Sequence, residues 1–361
     1  MRSSVLYCTP LCDDICLPCC TAIHSKSATP RLNSPKMAKL ETADSRNNFE
    51  DLSGVDISAF ENPYDALIQA CHNNPAEIQA RYAIHRTTRN AQQREKLLAP
   101  DFSGLILDPI LQRLEDPTIE PGYVDPRNCL VFWARPPTHI RSLVDRIQKE
   151  LMGVAPDLWL MPIQNLHLTA FEVTHSLTAP QIDNIITHIG SQTYTKMVSY
   201  PSTHRTRLIN PLISFDGAAI ALSFLPAAGE ALPQITPSSP TKTTRIKQED
   251  RYTYHHLRRD LFNLAKATGV SIDSRYVVPS SHITIARFLT QEDHDEKAKT
   301  EAWLGKIDGI NEWLEREFWT REGGERDVGK EWVVGTEKEL DFRKGTLWYG
   351  GGETVMMGEG F

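Results

Sequence analysis

Two stretches of the sequence are built alike: LHLTAF at residues 166–171 and SHITIA at residues 281–286. Each contains a histidine, an apolar residue and a threonine in that order, and apolar residues surround the triplet. Because side chains alternate between the two faces of a β-strand, the histidine and the threonine share one face and the intervening residue lies on the other. Each stretch is therefore predicted to be a strand with an apolar back and with an imidazole beside a hydroxyl on its front.

The two stretches together carry more weight than either one alone. The chain has 12 histidines, so the pattern His-x-Thr is expected to occur by chance. It occurs twice more, as HRT at residues 85–87 and at residues 204–206, but there the middle residue is charged and the neighbours are polar. Only the copies at His167 and His282 lie in apolar, strand-like segments, so these two are the functional candidates.

The paired motifs resemble the signature of the two-histidine (2H) phosphoesterase superfamily, which has the RNA ligase/cyclic nucleotide phosphodiesterase-like fold. The resemblance rests on the motifs, their wide separation and the order of the elements around them, and it covers about residues 125–350. It implies an α+β, bilobed fold in which two pseudo-symmetric antiparallel sheets surround a central cleft, with helices outside. It also implies a metal-independent phosphodiesterase that hydrolyses 2′,3′-cyclic phosphates of nucleotides or RNA ends.

The residue types in the motifs suit that reaction. A base must activate water, an acid must protonate the leaving ribose oxygen, and hydrogen-bond donors must hold the non-bridging oxygens. The resemblance implies that His167 and His282 are the catalytic residues and that Thr169 and Thr284 bind the phosphate. A histidine near its ordinary pKa of about 6.5 can accept or donate a proton at neutral pH. No metal and no cofactor is expected, and the sequence leaves open which histidine is the base.

Two weaker candidates for substrate binding follow the motifs. Arg287 would help to hold a phosphate, although in a regular strand it lies on the opposite face from His282. Phe171 shares the face of His167 and Thr169 in a regular strand, and it is a candidate for stacking on a base, with core packing as the alternative.

The chain is predicted to divide into three parts. Residues 1–60 lack periodicity and are rich in Ser, Thr, Pro and Asn, which predicts a disordered tail. Residues 61–127 are predicted to be a helical N-terminal extension that packs on the core, with separate helices at about 75–82 and 88–98. Residues 128–361 are predicted to form the bilobed phosphoesterase domain.

Within that domain, each lobe has the predicted order strand, helix, motif strand, helix. Lobe one is predicted at about residues 128–200 and lobe two at about 205–361. Apolar residues at helical spacing predict a helix at 138–152. Four prolines and many Ser and Thr residues predict a flexible insertion at 226–250, and a short apolar run predicts a strand at 346–349.

The composition limits the partners. The formal net charge is −7, so the chain as a whole is not built to coat nucleic acid. A small cyclic nucleotide or a short RNA end, bound in a locally basic groove, is the expected partner. Because we find neither a credible export signal nor an apolar run long enough to span a membrane, we expect an intracellular protein, cytoplasmic or nuclear. We also expect a monomer.

The first 40 residues permit several interpretations. Five of the seven cysteines fall within the first 20 residues, where nothing nearby predicts a fold that would hold a metal or a disulfide framework. Ser, Thr and basic residues recur up to Lys39, so organellar targeting by residues 1–40 is a minor alternative. Met37 is an alternative start, which would remove the cysteine cluster.

Two other functions remain open at this point. An RNA 2′-5′ ligase and an exonuclease that trims RNA 3′ ends are activities also associated with the family, although the acidic charge balance disfavours a long RNA. A non-catalytic nucleotide- or RNA-binding module is the third possibility. The presence of both histidines and both threonines argues against it.

Overall fold

The computed structural model describes residues 50–229, 250–319 and 328–361. In these segments the chain forms helices packed on a curled antiparallel β-sheet of nine strands, so the predicted α+β class is confirmed. The strands are β1 (Asn128–Ala134), β2 (Leu158–Leu160), β3 (Leu168–Leu177), β4 (Arg207–Phe215), β5 (Ala219–Pro226), β6 (His282–Phe288), β7 (Trp332–Val333), β8 (Leu340–Gly345) and β9 (Glu353–Met357).

The helices lie before, between and after these strands. They are α1 (Pro63–Ala70), α2 (Pro75–Leu98), α3 (Pro109–Glu115), α4 (Thr138–Met152), α5 (Ala179–Ile189), α6 (Ser191–Val198), α7 (Tyr200–Thr203), α8 (Tyr254–Lys266) and α9 (Lys297–Phe318). The apolar residues that predict a helix at 138–152 are all buried in α4, which has these bounds. Helix α8 packs on β3, α9 on β4, and α2 on β4 and β5.

The two motif strands are neighbours in the middle of the sheet. The strand order is β7-β4-β5-β6-β3-β1-β8-β9, and β2 pairs with β6 beside this path. Strands β3 and β6 are joined through one residue pair, Leu168 with Ile283. Beyond that pair, β6 is hydrogen-bonded to β2 and β5, and β3 to β1. The strands therefore form one continuous sheet where the sequence predicts two, because this pair links the halves.

Helices α1, α2 and α3 begin with the same local signal. Each has Asn or Asp at the N-cap followed by proline at the first helical position: Asn62-Pro63, Asn74-Pro75 and Asp108-Pro109. In each case the cap side chain accepts a hydrogen bond from the backbone N–H two residues later. The cap satisfies an N–H that the helix leaves without a partner, and proline has no N–H to satisfy.

Two predictions of secondary structure are wrong. The separate helices at 75–82 and 88–98 are one continuous helix, α2, because residues 83–87 contain no glycine or proline to break it and His85 and Arg86 are buried. The predicted strand at 346–349 lies in the connection between β8 and β9, which also contains three consecutive glycines. Gly350 and Gly352 have φ values of 79° and 74°, a backbone conformation that glycine adopts readily.

The predicted tail is too long at its C-terminal end. Leu52 and Ser53 lie against α2: the N–H of Leu52 donates to Nδ1 of His85 at 3.1 Å, and Arg81 donates to the carbonyl oxygen of Ser53 at 2.8 Å. The rest of the predicted tail, and residues 230–249 of the predicted insertion, lie outside the described residues.

A buried ion-pair network holds the edge of the sheet. The Arg207 guanidinium on β4 donates two hydrogen bonds to Asp250, at 2.9 and 2.5 Å, and a third to Glu331. All three residues are buried. Glu331 directly precedes β7, so the network ties that strand and the start of the 250–319 segment to β4.

Replacing Arg207 with alanine should destabilise the protein by about 3–5 kcal/mol, because two carboxylates would remain buried without their counter-charge. Urea denaturation would measure this loss in the free energy of unfolding. Lys149→Ala is the control, since Lys149 pairs with Asp145 on the exposed surface of α4 and should change stability little. A loss below about 1 kcal/mol for Arg207→Ala would contradict the structural role of the network.

Candidate active site

The pairing of β3 with β6 brings the two His-x-Thr motifs side by side. Leu168 lies opposite Ile283, and both are buried. In an antiparallel pair, continuing that register places Thr169 opposite His282 and His167 opposite Thr284. Side chains in directly opposed positions are about 4.5–5.5 Å apart at Cβ. This register puts His167, Thr169, His282 and Thr284, hereafter the motif quartet, on one face of the sheet around that pair.

A β-bulge follows the motif threonine in both strands. On β3, Thr169 lies opposite Trp133 and Phe171 opposite Phe132, which leaves Ala170 as an extra residue. On β6, Thr284 lies opposite Ala221 and Ala286 opposite Ile220, which leaves Ile285 as an extra residue. An extra residue shifts the alternation of faces in the rest of the strand. Predictions that assumed regular strands fail beyond each bulge.

Phe171 does not face the motif quartet. The bulge turns its ring to the opposite side of the sheet, where it is fully buried and packs against Phe132 at 6.3 Å and Phe262 at 6.2 Å between ring centroids. The candidate role of Phe171 in stacking on a base is therefore corrected to core packing.

Arg287 lies on the face that the motif quartet occupies, contrary to its expected orientation. It pairs with Ala219, which shares a face with Ala221, the residue opposite Thr284. Arg287 lines the same cavity as His282 and Thr284. The bulge at Ile285 thus makes Arg287 available to that cavity, and phosphate binding by Arg287 stays a prediction.

His167 is held from two sides. Its imidazole stacks on the Trp133 indole, with 3.7 Å between ring centroids and 15° between the planes. Its Nδ1 lies 2.8 Å from the carbonyl oxygen of Asn165. Because a carbonyl can only accept, Nδ1 carries a hydrogen and donates it. In the neutral ring the lone pair is therefore on Nε2.

The surroundings of His167 disfavour its charged form. Burial lowers its pKa to about 3, and the positive charges of Arg135 and Arg343 act in the same direction, while the hydrogen bond to Asn165 opposes them. Arg135 and Arg343 both pair with Asp341, at 2.7 and 3.6 Å.

His282 has a different hydrogen-bond partner. Its Nδ1 lies 2.9 Å from Oγ of Ser280, a hydroxyl that can donate or accept. Burial lowers the pKa of His282 to about 4, and the charges of Arg89 and Arg258 add to this effect, whereas Asp216 opposes it. Both motif histidines are therefore neutral at physiological pH in the free protein.

A cavity of about 130 Å³ opens beside the motif quartet. Thr169, His282 and Thr284 line it. His167 is not part of the lining, and the residue is half-buried. Helix α2 contributes four side chains to the lining of the same cavity: Tyr82, His85, Arg86 and Arg89.

Several of these residues are not recognised from the sequence. The polar face of α2 looks like a solvated helix surface, although His85 and Arg86 are buried against the cavity. Trp133 lies in an apolar strand with no signal of a role beside His167. Ser280 gives a weak signal, since in an extended chain it shares the face of His282, two residues later.

No protein-family model matches the chain, and the comparison with curated proteins finds no relative. Within residues 50–229, 250–319 and 328–361, no group of three or more His, Cys, Asp or Glu side chains is placed to hold a metal ion. None of the helices in these segments combines the length and the apolar character that a membrane crossing requires.

Binding of sulfate should be accompanied by proton uptake at pH 5.5. An anion beside the motif quartet favours the imidazolium form, so it raises the low pKa values of His167 and His282. Proton uptake should fall towards zero at pH 8, where both histidines are neutral even when sulfate is bound. Calorimetry in buffers with different ionisation enthalpies would measure it, since sulfate itself does not titrate in this range.

The double variant His167→Asn/His282→Asn should lose the uptake. His204→Asn is the matched control, because His204 belongs to a chance copy of the motif and stacks on Tyr200 at 4.0 Å. Sulfate binding to the wild type with no proton exchange at pH 5.5 would rule out this coupling.

Proposed function

We propose that this protein is a 2H phosphoesterase that hydrolyses 2′,3′-cyclic phosphates of nucleotides or RNA ends without a metal ion. The observation that carries the proposal is the motif quartet. Two imidazoles and two hydroxyls lie on one face of adjacent strands, next to a cavity lined with arginines. This set supplies a base, an acid and two hydrogen-bond donors to one phosphate.

The arrangement of the strands supports the bilobed architecture of that superfamily. Four strands follow in order on each side of the central pairing, β6-β5-β4-β7 on one side and β3-β1-β8-β9 on the other. The bulge occurs at the same position after the motif threonine on both sides. In this interpretation each half is one lobe, and α1–α3 form an N-terminal extension outside the resemblance.

The hydrogen bonds of the histidines favour different roles. His167 has its lone pair on Nε2, as a base requires, because Nδ1 donates to Asn165. Oγ of Ser280 can accept as well as donate, so it can hold the imidazolium form of His282, in which Nδ1 donates to Ser280 and Nε2 carries the proton for the leaving group. His167 is then the base that activates water, and His282 is the acid for the leaving group. Ser280 is a positioning residue, since it acts through His282.

The proposed reaction has one chemical step. Water attacks phosphorus and gives a proton to Nε2 of His167, while the bond from phosphorus to one ribose oxygen breaks and His282 gives that oxygen a proton. Thr169 and Thr284 donate hydrogen bonds to the non-bridging oxygens. The product is a phosphate monoester and a free hydroxyl. The bound phosphate raises the pKa of His282, which supplies the acid form at neutral pH.

Replacing either histidine with asparagine should lower kcat/KM for 2′,3′-cyclic mononucleotides by about 10²–10⁴-fold, with EDTA present throughout. Thr169→Val and Thr284→Val should each cost at least about tenfold, because each removes one donor to the developing charge. The control His204→Asn should retain wild-type turnover. If the wild type binds these nucleotides but hydrolyses neither them nor RNA ends with a cyclic phosphate, the protein is a non-catalytic nucleotide- or RNA-binding module instead.

The two histidines should respond differently to the leaving group. A nucleoside 4-nitrophenyl phosphodiester releases an anion that needs no proton, so it bypasses the acid but not the base. His282→Asn should therefore recover most of its lost kcat/KM on this substrate, and His167→Asn should not. The opposite pattern would make His282 the base and His167 the acid. If each variant loses as much kcat/KM on this substrate as on the cyclic nucleotide, the two histidines have no separate roles as base and acid.

A further inference from the structure

The cavity beside the motif quartet is cationic although the chain is acidic. The formal net charge of the whole chain is −7. The cavity walls, in contrast, have more arginines than acids: Arg86, Arg89, Arg258, Arg275 and Arg287 against Glu50 and Asp216. A 2′,3′-cyclic phosphate has a single negative charge. Even when Glu172, the partner of Arg275, is counted with these acids, five arginines face three carboxylates, and the excess of two exceeds the single charge of such a phosphate.

Two of these guanidinium groups are buried without a counter-charge. Arg86 and Arg258 are 6% and 1% exposed. In the described segments, no carboxylate oxygen lies within 4 Å of either group, and Nε of each has no hydrogen-bond partner. Their other nitrogens donate to backbone carbonyls, for example to Asn210 and Val278 at 2.8 Å. The carbonyls and the rings of Trp319 and Tyr64 compensate these buried charges in part, and an anion would compensate them further.

Helix α2 supplies two cavity cations from outside the motif strands. It supplies Arg86 and Arg89, and both lie outside the segment that resembles the 2H superfamily. Arg89 pairs with Asp216 at 2.7 Å. Asp216 also accepts hydrogen bonds from the N–H groups of Ala218 and Ala219, so it is held in place independently of Arg89. The side chains from α2 thus form a partly neutralised cationic surface in the cavity that Thr284 also lines.

We propose that α2 completes a second anion subsite, formed by Arg86, Arg89 and Arg258, which holds a further phosphate of the substrate. The inference rests on the proposed function, since the first phosphate occupies the motif quartet. It narrows the substrate class to cyclic phosphates that have a second phosphate on the same nucleotide or in the preceding linkage. A cyclic nucleoside monophosphate fills only half of the site.

The test compares kcat/KM for three substrates: adenosine 2′,3′-cyclic phosphate, its 5′-phosphorylated form, and a diadenosine dinucleotide that ends in a 2′,3′-cyclic phosphate. The better of the last two should exceed the first by at least about tenfold, because a charge-assisted hydrogen bond discriminates by that amount or more. A preference for the 5′-phosphorylated nucleotide would place the second phosphate on the same nucleotide, and a preference for the dinucleotide would place it in the preceding linkage. A variant that slows the chemical step equally for all three substrates leaves the ratios of their kcat/KM values unchanged.

The quantity to follow is the ratio of kcat/KM for the better substrate with two phosphates to kcat/KM for adenosine 2′,3′-cyclic phosphate. Two variants should change this ratio in opposite directions. Arg89→Gln should lower it at least about fivefold, because it removes a cation from the subsite. Asp216→Asn should raise it, because the amide oxygen still accepts from Ala218 and Ala219 but no longer neutralises Arg89. Arg94→Gln is the matched control on the same helix, since Arg94 is exposed and pairs with Asp308, and it should leave the ratio unchanged.

A wild-type ratio near one, or a ratio that Arg89→Gln does not change, would overturn the subsite. If the wild type hydrolyses none of the three substrates, the proposed function fails, and binding then tests the subsite. Calorimetry would compare adenosine 3′,5′-bisphosphate with adenosine 3′-monophosphate in the wild type and the same variants. Tighter binding of the bisphosphate that weakens in Arg89→Gln supports the subsite, and equal affinities overturn it.

Discussion

The hydrogen-bonded pair of Leu168 with Ile283 is the contact on which the site depends. It joins β3 to β6, and it sets the register that aligns the two motifs. Both side chains are buried, so a slip of one residue would turn these apolar groups to the front and push the histidines and threonines into the core. Burial of Leu168 and Ile283 on one face of the sheet therefore fixes how the histidines and threonines align on the other face. A single contact suffices because each strand is also held by an outer neighbour.

The charge environment of the histidines follows from the same face of the sheet. Arginines approach from both ends of the quartet, Arg135 and Arg343 on the side of His167, and Arg89 and Arg258 on the side of His282. With no anion bound, burial and these cations keep both rings neutral. An anion on this face reverses the balance, because it replaces repulsion among positive charges with attraction. Anion binding and proton binding are then coupled, as the proposed acid role of His282 requires.

The sequence predicts the parts of the site that follow from strand periodicity. His167 shares a face with Thr169, and His282 with Thr284, because alternation holds up to the threonines. Beyond them it fails, since nothing in the identity of Ala170 or Ile285 marks a bulge. The wall formed by α2 is a tertiary contact between segments more than 100 residues apart, and Arg89 resembles any arginine on a helix surface. Local patterns contain no information about such contacts.

The equivalent bulges also show where the two halves differ. Three residues after each motif threonine, the chain returns to the face of the quartet, with Glu172 on β3 and Arg287 on β6. Glu172 is fully buried and pairs with Arg275 at 2.5 Å, so it fixes an arginine that lines the cavity. On the other strand, Arg287 lines the cavity itself. Both guanidinium groups belong to the second lobe, but Arg275 is held by the first motif strand through Glu172, whereas Arg287 is on the second motif strand itself. The two ends of a phosphodiester would therefore meet unequal surroundings, as the base and acid roles proposed for the histidines require.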